Sequence, residues 1–293
     1  MKMINKYINF ISFNSYNLIG LSIVRIAIGV VTLLTLLANF QTRFDLWENS
    51  LFNTTHLHMN HLALNIFYFV LVVSIIIYIL GIESIIFNLY IYVMIYLLYG
   101  FNNYILDGGN NILIIVLFYM IFTRNAQYFS LYKGNNSSHF RNSIHNIFLF
   151  LILFQVCVLY FFAGFAKARG DMWFSGVAPY YVFQIETFTM TWTEGLFNFV
   201  INNSFILLII SYTAIFMQML FPVLIFNKIT KIIVVIGSVG FHISIVLFMG
   251  LVTFGLIMIA LDLLFINDVQ YKKIYRKLKE RRNMNVKQKG NYI

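Results

Sequence analysis

The chain has 293 residues, of which 60% are hydrophobic, 18% aromatic and only 10% charged, and it carries a formal net charge of +10. So little polar material cannot cover a water-soluble domain of this size, so the composition excludes a soluble globular protein and points to a membrane-embedded one. The single cysteine, Cys157, lies inside an apolar run, which excludes an intrachain disulfide, a cysteine-based metal site and a CxxC redox pair.

Residues 1–18 mix Lys2 and Lys6 with Phe, Tyr and Ile, the pattern of an interfacial helix leading into a signal anchor. No small-residue cleavage site follows, and Arg25 interrupts the early apolar stretch, so a cleaved signal peptide is not expected. A helical span needs about 17–25 apolar residues. That ruler places spans at 19–39, 62–80, 85–101, 112–122 with its flanks, 144–166 and 204–226. The run 232–266 is too long for one span and divides at Gly250 into 231–248 and 250–267. The expected fold is an all-α polytopic membrane bundle of about eight transmembrane helices. An interfacial or re-entrant segment, rich in Trp173, Pro179, Tyr180, Tyr181, Phe183 and Trp192, separates spans five and six. The transmembrane domain then runs over 19–267, followed by a basic tail at 268–293.

Basic residues fix an expected orientation. With the N-terminus inside, sixteen of the twenty Lys and Arg residues fall in cytoplasmic segments, Arg43, Lys167 and Arg169 fall outside, and Arg25 lies within the membrane. Both termini are therefore expected in the cytoplasm of a multi-pass cell-membrane protein. The tail from Lys272 to Lys289 accounts for much of the net charge. It is placed to meet anionic headgroups, so the bilayer, and not nucleic acid, is the expected partner.

Polar residues at depth carry the information in such a chain, because each is costly unless paired or functional. Arg25 and Asp262 sit at similar depth from the same side and are expected to form a structural pair. Gln155 and Gln218 read as interhelical hydrogen-bonding residues. His242 follows Gly237, Ser238 and Gly240, small residues that let a helix come close, with Ser238 one turn away on the same face. A histidine satisfied at a tight contact and a functional histidine are both open. Lys167 falls where the fifth span reaches the outer surface, with Tyr160 and Ala163 behind it. A segment folding back over it would exclude water and favour the neutral amine, a usable base. Asp107 in Asp107-Gly108-Gly109 reads first as a tight turn, and also as an acidic loop able to meet Lys167 or Arg169. His56, His58 and His61 lack a convincing carboxylate or cysteine, so no metal site is assigned.

At these residues the chain resembles the HTTM family, the membrane domain of vitamin K-dependent gamma-carboxylases and of SdpB-like bacterial proteins. The resemblance runs in order through Gly20–Gly29 with Arg25, Leu106–Asn111, Tyr160–Trp173, and Phe241-His242 through Gly250 to Asp262. It implies that Lys167 stands where the carboxylase base acts on a reduced quinone, the implied cofactor, and that His242 matches the family's Phe-His motif. Tyr160, Asp107 and Trp173 are the implied substrate-binding residues. Asn103-Tyr104 stands where carboxylases carry an Asn-His pair, and the large lumenal domain is missing after the last span. Both features speak against glutamate carboxylation and for the SdpB-like branch. That branch implies production of an exported antimicrobial peptide from a secreted precursor, together with co-encoded maturation proteins. A quinol-dependent carboxylase- or epoxidase-like enzyme and a non-catalytic chaperone or transporter-like protein remain as alternatives.

Overall fold

A computed structural model of the protein describes residues 14–48, 59–134, 138–182, 184–185 and 194–290. Eight apolar helices occupy the expected places: α1 (Leu18–Ala38), α3 (His61–Leu80), α4 (Ile85–Phe101), α5 (Gly108–Met120), α6 (His139–Arg169), α10 (Ser204–Leu224), α11 (Lys228–Met249) and α12 (Val252–Leu263). Short helices α2 (Arg43–Trp47), α7 (Asp171–Phe174), α8 (Ala178–Val182) and α9 (Glu194–Ile201) connect them, and α13 (Asp268–Gly290) closes the chain. Among the described residues there is no strand.

The asparagines and serines that break the apolar pattern set the helix starts. Side chains of Asn60, Ser84, Asp107, Ser138, Asn203 and Asn227 each accept a backbone N–H from the first turn of the helix that follows. At the other end of α11, Gly250 adopts φ 67°, the left-handed cap that separates α11 from α12 where the sequence predicts a break.

Helices α1, α3, α6, α10 and α11 are each long and apolar enough to cross a bilayer alone, whereas α4 and α5 have 17 and 13 residues. Large apolar side chains such as Ile66, Phe69 and Val73 on α3, Phe150 and Phe154 on α6, and Ile233 and Ile236 on α11 are exposed. Such continuous apolar exterior is stable only in contact with lipid. The molecule is a helical multi-pass membrane bundle.

The last span differs from expectation. Instead of running straight through 250–267, α12 stops at Leu263 after 12 residues, and the chain turns by 97° into α13. The Asp268 carboxylate holds the turn by accepting the N–H groups of Leu18 (3.0 Å) and Ile19 (2.9 Å) at the open start of α1. Asn17 donates to the Leu264 carbonyl at 2.8 Å on the same face, so the first and last membrane helices meet at one end of the bundle.

A buried polar knot ties the loops together at that end. Glu83 pairs with Arg124 (3.2 Å) and Arg141 (3.5 Å) and accepts from the Gln127 amide. The Arg124 N–H reaches Nδ1 of His145 at 2.9 Å, so this imidazole carries its proton on Nε2 and donates to Tyr16 O at 2.8 Å. Most of the N-terminal interfacial segment lies outside the described residues.

Candidate functional site

The candidate site forms where α6 crosses α10 and faces α11 and α12. Gly164 permits the crossing: a Cβ there would stand 2.6 Å from the Met219 backbone nitrogen. One turn earlier, Tyr160 is fully buried and stacks on Phe221 with ring centroids 4.1 Å apart. Gly237 and Gly240 do not serve the close approach expected of them. A Cβ at Gly240 would meet nothing within 4 Å, and one at Gly237 only the Met217 sulfur. The tight contacts fall instead at Gly164, at Gly109 against the Phe254 backbone, and at Gly255 against Val246.

Three buried polar residues form one chain of hydrogen bonds. The Tyr160 hydroxyl donates to the Asp262 carboxylate, at 2.8 Å from Oδ1 and 3.0 Å from Oδ2, and lies 2.8 Å from Nε2 of His242. With the one proton of the hydroxyl directed to Asp262, His242 is the donor to that hydroxyl from Nε2. Its Nδ1 then presents a bare lone pair, and this buried atom has no protein partner. Ser238, whose hydroxyl donates to Val235 O at 3.1 Å, lies beside Tyr160 and Asp262. Phe254 closes one side of the imidazole, edge-on at 5.5 Å.

Lys167 lies two turns beyond Tyr160 and is half-buried. Its Nζ donates to Gln218 Oε1 at 3.0 Å and sits 5.2 Å from the centre of the Trp173 ring. Gln218 lies fourteen residues beyond Ser204, about 21 Å along α10 at 1.5 Å per residue. Lys167 is therefore not at the far end of the bundle, where its place in the sequence puts it. Helix α6 stops short of the start of α10, and α7 and α8 cover the remainder. Ser211 donates to Gly176 O at 3.2 Å and Tyr212 to Phe174 O at 2.7 Å, pinning this folded-back segment so that Trp173 covers the amine. Phe183 and Trp192 lie outside the described residues.

The structure corrects the expected Arg25–Asp262 pair. Arg25 instead donates from Nη2 to the carbonyls of Phe129 (2.6 Å) and Tyr128 (3.4 Å), while Ser22 accepts the Tyr128 N–H at 3.2 Å. Gly81, at φ 83°, makes room for the guanidinium, which a side chain there would overlap. Similar depth does not make two residues face each other: Arg25 points to the 126–130 loop and Asp262 to α6. Of the two readings of Asp107, the local one holds. Its Oδ1 caps α5 through the Asn110 N–H at 2.9 Å, and among the described residues it forms no ion pair with Lys167 or Arg169. It lines a separate cleft of about 410 Å³ with Thr35, Asn39, Asn110 and Thr253. His61 pairs with Glu48 at 2.9 Å and stacks on Phe44, while His56 and His58 lie outside the described residues. Sequence reasoning missed that Gln218 partners Lys167 and that Tyr160 links His242 to Asp262.

These features define a polytopic helical membrane protein with a buried His–Tyr–Asp chain beside a covered lysine. The chain belongs to the HTTM-domain family, whose model matches residues 13–269. It is similar to the sporulation-delaying protein SdpB of Bacillus subtilis, 26% identical over 170 residues, covering 56% of this chain and 53% of that protein. The chain thus aligns with about half the length of this relative. No solved structure matches the chain.

For the reduced quinone implied by the family resemblance, the groups at hand are the amine of Lys167, which would meet a phenolic hydroxyl, and the indole of Trp173, which lies against that amine. When bound, such a group would supply reducing equivalents. Lys167 and Trp173 would hold and orient it.

Proposed function

We infer that this protein acts in the membrane on an exported peptide precursor, in the manner implied for SdpB-like proteins, with Lys167 and His242 as its reactive groups. The observation that carries the reading is the unpaired Nδ1 of His242, buried at the end of the Asp262–Tyr160–His242 chain, whose Tyr160 lies two turns before Lys167 on the same helix. The chain fixes the imidazole tautomer, so the free lone pair is ready to take a proton from a bound group. Lys167, covered by Trp173 and held by Gln218, offers a second proton-handling group two turns along α6 from Tyr160. With the termini in the cytoplasm, the segment around α7 and α8 that covers the lysine faces the exterior, the side on which an exported precursor would be met.

The test pairs Lys167→Met and Lys167→Arg with mass spectrometry of a co-encoded secreted peptide. Both variants should accumulate in the membrane as the parent does and yield no mature peptide. Arg keeps the charge and the length but cannot release a proton at accessible pH. Normal peptide from the Arg variant would reduce Lys167 to an anchor and favour a non-catalytic chaperone. A quinone that copurifies with the parent protein and is lost from Trp173→Ala would favour the quinol-dependent reading, which the indole over the amine supports.

A further inference from the structure

The turn between α12 and α13 presents a surface that the site does not use. Helix α13 leaves the bundle at 97° to α12, so it runs close to the plane of the bilayer. Its rotation is fixed too. The Tyr271 hydroxyl donates to Leu263 O at 2.7 Å, so the Tyr271 face looks back at the end of the bundle and the membrane around it. Ile274, Tyr275 and Leu278 follow Tyr271 at spacings of three and four and continue that face, and all three are exposed. Lys272, Lys273, Arg276, Lys277 and Lys279 lie along the flanks and the opposite side, exposed. Lys133, Arg141, Lys228 and Lys231 are carried by elements at the same end of the bundle, Lys231 donating to Gln270 of α13 at 3.5 Å. Of the acidic groups there, Glu83 is engaged by two arginines and Asp268 by the start of α1, which leaves Glu280 as the exposed carboxylate among the cations of α13.

We propose that α13 is an interfacial helix that binds anionic lipid headgroups, with its Tyr271–Leu278 stripe dipped into the headgroup layer and its lysines and arginines lying among the phosphates. An apolar stripe alone would seat on any bilayer, while a row of cations beside it makes the attachment depend on lipid charge. The proposal is independent of the chemistry at Lys167.

The full chain, with Cys157→Ala and Leu278→Cys carrying an environment-sensitive fluorophore, is reconstituted into phosphatidylcholine vesicles with and without phosphatidylglycerol. Emission should shift to the blue and be quenched by brominated lipid in the anionic vesicles. That shift should reverse in molar salt, where the screening length falls from about 10 Å to about 3 Å. Replacing Lys272, Lys273, Arg276 and Lys277 by Gln should abolish the dependence on phosphatidylglycerol. A fluorophore at Ile66→Cys on the lipid-facing side of α3 should respond alike in every sample, which shows that the variants are inserted. An α13 probe that stays in water in both vesicle types overturns the proposal. Equal burial in both, unchanged by the four substitutions, overturns the recognition of lipid charge.

Discussion

Replacing Tyr160 by Phe removes one oxygen and leaves the stack on Phe221 in place, so it isolates the buried hydrogen-bond chain. Two magnitudes compete. An interhelical hydrogen bond in a bilayer averages about 0.6 kcal/mol, because the separated helices find other partners. A buried polar group left unsatisfied costs about 1–3 kcal/mol, more when charged. The substitution strands both Nε2 of His242 and a carboxylate with no solvent exposure, and Ser238 remains in reach of Asp262 to offset part of the loss. The expected destabilisation is about 2–4 kcal/mol, several times an ordinary interhelical bond. Reversible denaturant unfolding in bicelles, followed by tryptophan fluorescence, measures it. The second half of the cycle is sharper. Adding Asp262→Leu, which has the shape of the carboxylate without its polarity, to Tyr160→Phe should restore part of the stability, because the stranded acceptor is gone. A Tyr160→Phe cost near 0.6 kcal/mol, or a further loss on adding Asp262→Leu, would refute the picture of a single buried chain.

Arg25→Met should lower stability by about 1.5–3 kcal/mol, since it strips a charged donor from the Phe129 and Tyr128 carbonyls. The charge swap Arg25→Asp with Asp262→Arg should rescue nothing, which thermal unfolding of the three variants would check. For orientation, cysteines at Tyr104 and Asn202 in a Cys157→Ala background should react with an impermeant thiol reagent on intact cells, whereas one at Lys133 should not. All three positions are exposed, so labelling only at Lys133 would invert the topology.

Helix positions were legible because apolar runs and their polar interruptions encode them directly. Asn60, Asn203 and Gly250 stop and start helices through local hydrogen bonds and backbone conformation, which depend on neighbours in sequence. The residue types at the site were legible for a related reason: Lys167, His242 and Asp262 stand out where ionisable groups are costly. Their partnerships were not. Depth follows from counting residues along a span, but facing direction follows from how helices rotate and cross. Arg25 and Asp262 agree in the first and differ in the second. Tyr160 looked like one aromatic among many until its hydroxyl was found between two polar residues on other helices. Gln218 could be assigned to the interhelical class, yet the lysine it serves lies 51 residues away on another helix. The small residues before His242 misled because a glycine permits close approach without requiring it.

The Asp268 carboxylate has a consequence for biosynthesis. The first membrane helix leaves the ribosome with its leading N–H groups uncapped, and their acceptor is 250 and 249 residues downstream. Until α12 has entered the membrane and the chain has turned, the leading N–H groups of α1 are left to water. Closure of the bundle therefore waits on α12, and the turn that follows it is the latch for the start of α1.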